Sequence, residues 1–574
     1  MPSAALRSSE RETRIARLAA ERFDVVVIGG GITGAGIACE AARRGLRVAL
    51  LEAGDFAMGT SSRSSKLIHG GLRYLALGDV ATVRSTALER KVLHRIAPHL
   101  AEPHWMVVPA RSWAGLVKLR AALSAYEKLG EVEPADRHRN WSGEELARGE
   151  PILDRAVHPH ACVYREYLTD DARLVLANLR AAAAYGAAVL SRAPVQAILR
   201  EGGAACGVEA TCAESSGSDG SGGSDGSGGS DGSGGSDGSG GSDGSGGRFA
   251  VRARCVVNAA GPWVDAVRAL EDPNASPKLH LSKGVHVVFR RERLPLRNIL
   301  ILGTEDRRSI FAVPRGEAVY VGTTDTTWSE GHTAWPRIDA QDVAYLLAPL
   351  HRQLAAHGLG PEDAFAAWAG LRPLVAEPGK PPTEISRKDE VTIGPAGVVS
   401  IAGGKLTGYR PMARGALERA AEHAGLRLAP PVEPEALPGG EGAADLDALA
   451  RGLAGVPAPV AARLARAYGG EAAQVLARGA RPLAEGASLV EGEVDWAVDL
   501  EDALHVEDVL YRRTGVALYD PVGREALVAP VAERMARKLG WSDARRAAEV
   551  AAVRERLAAD LSFKDHSKSA EVRA

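Results

Sequence analysis

A short segment near the start of the chain, Thr60 to Leu75, concentrates side chains that bind phosphate and move protons. It reads Thr-Ser-Ser-Arg-Ser-Ser-Lys-Leu-Ile-His-Gly-Gly-Leu-Arg-Tyr-Leu. Hydroxyl and ammonium groups donate hydrogen bonds to phosphate oxygens, and an arginine such as Arg73 can hold an anion through two parallel N–H bonds. The imidazole of His69 can exchange a proton. The segment therefore predicts a site for a phosphorylated ligand at which a proton is transferred.

This segment follows a nucleotide-binding fingerprint. Phe23 to Ile28 is a β-branched run typical of a buried parallel strand, and the next six residues have the spacing G-x-G-x-x-G. Gly29 makes the tight turn, Gly31 lets the backbone approach a pyrophosphate, and Gly34 lets the helix pack on the strand. Glu52 ends the second strand of the unit, where its carboxylate can accept hydrogen bonds from ribose hydroxyls.

The organisation of the chain favours FAD over a nicotinamide dinucleotide. Two later segments, Val256 to Pro262 and Ser400 to Gly408, each read as a core strand that enters a glycine turn. A nucleotide domain assembled from separate parts of the chain suits a large, permanently bound flavin. A second complete G-x-G-x-x-G is not visible, so NADPH is not expected to supply the electrons.

The strand–helix–strand unit around the fingerprint predicts an α/β protein. Several domains are expected, because 574 residues are too many for one hydrophobic core. The predicted parts are an N-terminal extension (1–22), a discontinuous Rossmann-like FAD-binding domain (23–75, 165–270 and 390–430), a substrate or cap domain with a mixed or antiparallel sheet (76–164 and 271–389), and a C-terminal helical domain (431–574). The helical domain carries no recognisable chemical motif.

Five perfect copies of Ser-Asp-Gly-Ser-Gly-Gly occupy residues 218–247. This composition cannot bury apolar surface, so a flexible loop is predicted. A calcium-binding repeat is the alternative, but these copies lack the apolar residue that would let successive coils stack. Residues 204–213 and 248–257 look like strands, which predicts that the insertion lies at the tip of a hairpin.

Composition narrows the classes of partner. The net charge of −2 provides no overall field for nucleic acid. The five cysteines show no metal-ligand spacing, so no metal site is predicted and a reduced, cytoplasmic setting fits best. We see no uncharged apolar run long enough to span a bilayer, and residues 1–22 lack the apolar core of a signal peptide. Attachment to a membrane through a surface patch stays open.

Several motifs occur in the order found in one flavoenzyme family. The most specific is Ser-Ser-Lys-Leu-Ile-His-Gly-Gly-Leu-Arg-Tyr at 64–74. The others are the fingerprint with Glu52, Asp170 to Asn178, Asn258 to Trp263, Gly322 to Asp325, Gly370 to Leu374 and Gly403 to Arg410. Over residues 23–420 the chain thereby resembles the FAD-dependent glycerol-3-phosphate dehydrogenases, within the D-amino-acid-oxidase-like flavoproteins.

The resemblance implies oxidation of sn-glycerol 3-phosphate to dihydroxyacetone phosphate. A hydride would leave C2 of the substrate for flavin N5, while a base takes the proton of the C2 hydroxyl. In the family the electrons go to membrane quinone or, in some members, to O2. The resemblance also implies a peripheral position on the cytoplasmic face of the inner membrane, and it is compatible with a homodimer.

The family motifs also assign residues to the substrate. The substrate-side residues that they mark are Arg73, Tyr74, Arg372, Arg387 and Lys405. Guanidinium forks suit a phosphate dianion because each bonds two oxygens at once. Arg372 and Lys405 are expected to hold the substrate, with Arg387 on its phosphate.

The candidate catalytic residues are His69, Arg372 and His286. His69 comes first as the base, because it lies four residues before Arg73. Either histidine can instead be a structural residue that only hydrogen-bonds its neighbours.

A larger set is assigned to the flavin. Its members are Gly29, Gly31, Thr33, Gly34, Glu52, Ser61, Ser64, Ser65, Lys66, Gly261, Gly403, Gly404, Lys405, Leu406 and Thr407. The pair Gly403-Gly404 is expected to bring backbone donors to the flavin ring, where negative charge develops on reduction. Thr33 stands where the family often has Asn, and Arg63 adds a cation beside the flavin segment.

Three alternatives to a quinone-linked dehydrogenase stay open. An O2-using glycerol-3-phosphate oxidase would release hydrogen peroxide. An amine or amino-acid oxidase of the same superfamily would need one carboxylate-binding arginine rather than several cations for phosphate. A flavin-bound interaction protein without catalysis would use the repeat insertion or the helical domain as its binding part.

Overall fold

The computed structural model describes residues 5–70, 80–212, 247–355, 358–376 and 389–565. The strands are β1 (Arg22–Ile28), β2 (Val48–Leu51), β3 (Leu67–Ile68), β4 (Glu102–Ala110), β5 (Arg139–Ser142), β6 (His160–Leu168), β7 (Ala188–Leu190), β8 (Val195–Glu201), β9 (Ala204–Cys212), β10 (Gly247–Asn258), β11 (Leu279–Arg290), β12 (Ile299–Gly303), β13 (Ser309–Arg315), β14 (Ala318–Gly322), β15 (Thr326–Thr327), β16 (Ala364–Val375), β17 (Asp389–Ile393) and β18 (Val399–Gly403).

The helices are α1 (Arg11–Ala20), α2 (Ile32–Arg43), α3 (Val80–Ile96), α4 (Trp113–Leu129), α5 (Gly143–Gly149), α6 (Asp171–Ala184), α7 (Val264–Glu271), α8 (Ala340–Gln353), α9 (Tyr409–Ala424), α10 (Leu446–Gly452), α11 (Ala458–Tyr468), α12 (Ala472–Leu476), α13 (Glu491–Leu500), α14 (Val516–Tyr519), α15 (Gly523–Ala526), α16 (Val528–Leu539) and α17 (Asp543–Ala559). A π-helical stretch, Asp508–Arg513, precedes α14.

The first sheet is the parallel core that the β-branched run predicts. Its strands follow the order β17-β18-β10-β1-β2-β7, and the pairs among β18, β10, β1, β2 and β7 are parallel. In β1, Val25 and Val27 face α2, α6 and α9, whereas Val26 and Ile28 face the opposite layer. Because both faces of the sheet are covered, apolar and polar residues do not alternate in the inner part of the strand, which is apolar from Val25 to Ile28.

The second sheet is mixed and mostly antiparallel. Its order is β15-β11-β14-β13-β12-β4-β6-β3, with β16 on β11 and β5 on β6. The long antiparallel pair of β11 and β16 runs from Leu279 opposite Val375 to Phe289 opposite Ala364. This sheet includes β3 and the end of β6, which lie inside the residues assigned to the FAD-binding domain by sequence.

The C-terminal part is helical, from α10 to α17. Its core joins the apolar faces of α13, α16 and α17, with Val494, Val531 and Val553 among the buried residues. The predicted fold class is therefore confirmed: a parallel core assembled from separate stretches, a mixed second sheet and a helical C-terminal domain. Across the described ranges, no helix has both the length and the apolar character needed to cross a bilayer.

The segments that flank the repeat insertion pair with each other. Strands β9 and β10 are antiparallel, and Cys212 lies opposite Gly247 at their shared end. A short connection can therefore close this hairpin.

Deleting residues 218–245 should leave the fold intact. The strand register is set by the pairing of β9 with β10, and a shorter loop lowers the entropy lost on closure, a gain of about 1 to 2 kcal/mol. We expect unchanged FAD content and a thermal midpoint that is equal or slightly higher. A variant with a scrambled insertion of the same length is the control. Loss of FAD in the deletion variant but not in the scrambled one would contradict a passive loop.

Candidate functional site

A large cavity has walls from both sheets, at the carboxyl ends of the parallel strands. Its volume is about 1660 Å³. Small-molecule pockets are roughly 300–1,000 Å³, so this cavity can hold a dinucleotide together with a small substrate. Gly29 and Ala259 contribute from the ends of β1 and β10, and Arg372 contributes from β16.

The fingerprint leaves no room for a Cβ at Gly29 or at Gly34. Gly29 has a φ of +111°, and a Cβ there would lie 2.6 Å from the carbonyl oxygen of Ala259. A Cβ on Gly34 would overlap the carbonyl oxygen of Gly29. Helix α2 begins at Ile32, and Gly31 to Thr33 line the cavity. The N-terminus of α2 therefore faces the cavity, where the positive end of the helix dipole can attract a pyrophosphate.

Glu52 stands next to this turn. Its carboxylate accepts hydrogen bonds from the N–H of Gly30 at 2.6 Å and of Gly54 at 2.9 Å. Burial raises the pKa of Glu52, and these N–H donors oppose the rise. Glu52 also lines the cavity, where it can accept hydrogen bonds from ribose hydroxyls as the sequence predicts.

A short helical turn, Thr60–Ser62, joins the fingerprint to the second sheet. The Oγ of Ser61 accepts a hydrogen bond from the N–H of Ile32 at 3.0 Å. The Oγ1 of Thr60 donates to the carbonyl of Leu371 on β16 at 2.6 Å. Ser61 thus caps α2 from a distant segment, and the turn fixes the spacing between the two walls.

The next residues divide between the cavity and a buried ion pair. Ser64 and Ser65 line the cavity. Lys66 does not line it: its Nζ lies 2.6 Å from Asp171 Oδ1 and donates to the carbonyl of Ser62 at 2.8 Å. Ser64 Oγ donates to the other oxygen of Asp171 at 2.7 Å. Lys66 is therefore placed to hold the segment rather than to line the cavity.

The opposite wall is a glycine turn after β18. Gly403 and Gly404 have φ of +80° and +85°, and Lys405 to Thr407 follow on the cavity wall. The Oγ1 of Thr407 lies 3.2 Å from both the N–H and the carbonyl oxygen of His69. Thr407 therefore connects this turn to the histidine.

The two candidate histidines occupy different environments. His69 lines the cavity, with its ring centroid 6.2 Å from that of Phe311. His286 is buried behind the wall, where Nε2 hydrogen-bonds Ser65 Oγ at 2.9 Å and the ring stacks on Trp368 at 4.7 Å. Burial, and then the charges of Arg372 and Lys66, hold the pKa of His286 well below its ordinary value. His286 is therefore neutral near pH 7.

Arg372 lies on the cavity wall beside β11. Its Nη2 donates to Thr323 Oγ1 at 2.8 Å and to the carbonyl of Thr324 at 3.1 Å, and its Nη1 donates to Ser282 Oγ at 3.3 Å. A Cβ on Gly284 would overlap Nη2 of Arg372. The glycine on the neighbouring strand therefore makes the space that the guanidinium occupies.

A second arginine on this wall was not found by the sequence reasoning. Arg308 precedes β13, and its Nη1 lies 3.7 Å from Asp325 Oδ2, while Nη1 of Arg372 lies 3.4 Å from Asp325 Oδ1. Asp325 therefore stands between the two guanidinium groups. Arg308 lies in the run Asp306-Arg307-Arg308, which matches no motif, and only its distance in space from Arg372 reveals it.

Most of the sequence-predicted site residues meet on this one cavity. Those on its wall are Gly29, Gly31, Thr33, Glu52, Ser61, Ser64, Ser65, His69, Gly261, Arg372, Gly403, Gly404, Lys405, Leu406 and Thr407. Gly34 packs beneath it, and Lys66 and His286 lie behind it. Arg73, Tyr74 and Arg387 lie outside the described residues.

One end of the cavity is apolar. Its residues come from β4, β12 and helix α4, and they are Met106, Val108, Leu119, Ala122, Ala125 and Ile301. No sequence motif predicts this apolar end of the cavity, because the residues that form it are spread over two strands and a helix. It offers a surface for an apolar molecule beside the polar site.

The cavity fits FAD. The glycine cradle and the start of α2 suit its pyrophosphate, Glu52 suits a ribose, and the turn at Gly403 and Gly404 brings backbone to the cavity wall.

Comparison with known proteins agrees with this fit. Residues 24–410 match the family described as FAD dependent oxidoreductase, and residues 433–546 match the C-terminal domain of alpha-glycerophosphate oxidase. The aerobic glycerol-3-phosphate dehydrogenase of Staphylococcus aureus (strain USA300) is 36% identical over 482 residues, which cover 81% of each chain. That of Staphylococcus haemolyticus is 38% identical over 413 residues, or 71% of this chain and 69% of the relative.

Solved structures agree as well. The glycerol-3-phosphate dehydrogenase from Bacillus halodurans, complexed with FAD, superposes with a TM-score of 0.75 at 29% identity, covering 97% of this chain and 98% of that one. The L-alpha-glycerophosphate oxidase from Mycoplasma pneumoniae, with FAD bound, shares the fold at a TM-score of 0.52 and 16% identity, over 73% of this chain and 99% of that one. The chain belongs to the FAD-dependent glycerol-3-phosphate dehydrogenase family.

Proposed function

We propose that this chain oxidises sn-glycerol 3-phosphate to dihydroxyacetone phosphate and passes the two electrons to a membrane quinone. The observation that carries the proposal is the pair of guanidinium groups of Arg372 and Arg308, held on either side of Asp325 in the cavity that fits FAD. Bound FAD supplies the acceptor for a hydride from the carbon that bears the hydroxyl. The two Staphylococcus relatives are named aerobic glycerol-3-phosphate dehydrogenase, which supports glycerol 3-phosphate as the substrate.

The two arginines are suited to a phosphate dianion. Both guanidinium groups carry the positive charge that attracts a phosphate dianion. Asp325 offsets their mutual repulsion before substrate arrives, and Lys405 adds a further side chain to the same wall. Arg73, Tyr74 and Arg387 are proposed for the substrate from the family motifs alone.

His69 is the proposed base. It lies on the cavity wall, and Thr407 holds its backbone in place. In this proposal its imidazole takes the proton of the C2 hydroxyl. His286 is buried and neutral, so we assign it a positioning role through Ser65.

The apolar end of the cavity supports a quinone as the acceptor. Helix α4 contributes Leu119 and Ala122 to that end, while Trp113 and Val117 on the same helix are 62% and 46% exposed. Exposed tryptophan favours the interface between water and lipid, and the basic Lys118 stands next to these residues. We therefore propose peripheral docking on the cytoplasmic face of a membrane through α4.

The direct test mixes the holoenzyme anaerobically with glycerol 3-phosphate and follows the visible flavin absorbance. We expect the band to bleach and dihydroxyacetone phosphate to form in equal amount. Absence of bleaching would overturn the proposal. Bleaching by glycine or sarcosine, but not by the phosphate ester, would instead assign an amine or amino-acid oxidase. Stoichiometric hydrogen peroxide in air, without quinone, would assign a glycerol-3-phosphate oxidase.

Replacing Arg372 should weaken substrate binding while FAD stays bound. Arg372→Ala removes charged hydrogen bonds worth roughly 1.5–3 kcal/mol each, so kcat/KM should fall about 10²–10³-fold. Gly284→Ala should also raise KM, because its Cβ displaces the guanidinium while keeping the charge. Arg537→Ala, on the exposed face of α16, is the control. A wild-type KM in both Arg372→Ala and Gly284→Ala would show that Arg372 does not bind the substrate.

Variants of the two histidines should differ in how the rate of flavin reduction depends on pH. His69→Asn should slow flavin reduction roughly 10²–10⁴-fold and remove the acid limb of the rate profile. His286→Asn should keep that limb, because the pKa of His286 is already well below the working range. His286 stays neutral when folded but takes a proton when unfolded, so its contribution to stability is present above about pH 6.5 and is lost as pH falls. An acid limb that vanishes only in His286→Asn would reverse the assignment.

Filling the apolar end of the cavity should slow electron transfer to the acceptor and leave oxidation of the substrate unchanged. Ala122→Phe places a ring among the residues of α4 that line this end. We expect quinone reduction to slow several-fold while anaerobic flavin reduction by glycerol 3-phosphate is unchanged. Ala121→Phe, on the exposed side of the same helix, is the matched control. Equal quinone rates in the two variants would argue against a quinone at this end.

A further inference from the structure

The loop that follows β2 supports the fingerprint from behind. Within residues 52–58, the carboxylate of Glu52 accepts the hydrogen bond from the N–H of Gly30, and the N–H of Ala57 donates to the carbonyl of Gly30 at 3.1 Å. Met58 lines the cavity. The position of this loop therefore decides where the glycine turn lies relative to a bound dinucleotide.

The loop is anchored by one fully buried carboxylate, that of Asp55. Its Oδ2 accepts from Nε of Arg512 and from Nη1 of Arg513 at 2.7 Å, and its Oδ1 accepts from Nη2 of Arg513 at 2.7 Å. Both arginines belong to the C-terminal helical domain. A buried carboxylate that loses its arginine is strongly unfavourable, so the loop and the helical domain are held together at this point.

The two arginines are themselves fixed in direction. Arg512 pairs with Asp508 at 2.6 Å and with Glu507 at 2.8 Å, and Nη2 of Arg513 donates to the carbonyl of Glu501 at 2.8 Å. The π-helical stretch that carries them therefore presents to Asp55 the fork of Arg513 and the Nε–H group of Arg512.

A second observation concerns the far end of the loop. Ala57 has a φ of +61°, a left-handed conformation that residues with a side chain rarely adopt and keep only where surrounding contacts determine it. Nε of Arg63 donates to the carbonyl of Met58 at 3.2 Å. The Arg63 guanidinium lies 3.5 Å from the ring centroid of Trp335, which packs edge-on against Tyr511 of the helical domain.

We propose that Asp55 is a positioning residue for FAD: the C-terminal domain, docked through Arg512 and Arg513, holds the 52–58 loop in the form that retains the cofactor. The helical domain thereby acts on the dinucleotide end of the site without reaching the cavity there. Because linkage is reciprocal, bound FAD strengthens the docking of the domain by the same factor.

The test compares two neutral substitutions in purified holoenzyme. Asp55→Asn removes the charge at the loop. Glu471→Gln removes a carboxylate that also bonds an arginine across the domain boundary, Arg180 of α6, at 2.7 Å to each oxygen, but does not touch the loop. Release of FAD after dilution is followed by the fluorescence of free flavin. We expect release at least about 10-fold faster in Asp55→Asn and near the wild-type rate in Glu471→Gln.

Thermal midpoints of both variants separate positioning from general stability. If Asp55→Asn releases FAD at the wild-type rate, or no faster than a Glu471→Gln variant with the same fall in midpoint, the proposal is overturned. Should Asp55→Asn fail to fold, Arg513→Lys keeps the positive charge and loses the fork. Release a few-fold faster in Arg513→Lys supports the proposal, and an unchanged rate overturns it. Turnover of glycerol 3-phosphate plays no part in this measurement.

Discussion

One buried carboxylate, that of Asp171, holds the segment on which both sides of the cavity depend. Asp171 begins α6 directly after the second sheet's β6, and it binds the ammonium of Lys66 together with the hydroxyl and N–H of Ser64. Removing one partner of such a buried pair costs about 3–5 kcal/mol. Lys66 is buried on this carboxylate, whereas Ser64 and Ser65 just before it line the cavity. The same bond therefore ties α6, which packs on the first sheet, to the segment that leads into β3 of the second sheet.

The register of β11 has a comparable effect on the other wall. Ser282, Gly284 and His286 share one face of that strand, because side chains alternate along it. Ser282 hydrogen-bonds Arg372, Gly284 leaves the space for it, and His286 bonds Ser65. A slip of one residue would move all three to the other face. The pairing of β11 with β16 thus places Arg372 and the segment around Ser65 on the same cavity.

The sequence predicted the parts of the site whose chemistry is local. The fingerprint, Glu52 and the glycine turn at Gly403 and Gly404 are each read from a few neighbouring residues, and the fold class follows from strand and helix patterns. The direction of Lys66 was beyond such reasoning, because it depends on a φ of +54° and on Asp171 in a distant segment. Arg308 was missed for the same reason: its neighbours in sequence say nothing about Asp325. A sequence pattern indicates which residues have suitable chemistry for a site, whereas tertiary contacts decide which way their side chains point.

The helical domain extends this argument to the cofactor. Its sequence carries no chemical motif, yet Arg512 and Arg513 reach a carboxylate next to the fingerprint. An apolar contact between the domain and the loop would supply free energy but would tolerate small sliding movements, since the hydrophobic effect is not directional. A bidentate bond between arginine and carboxylate has fixed geometry. The 52–58 loop must keep Gly30 and Glu52 at fixed positions against a dinucleotide. A directional contact serves that purpose better than additional apolar burial, and the arginines of the helical domain provide one.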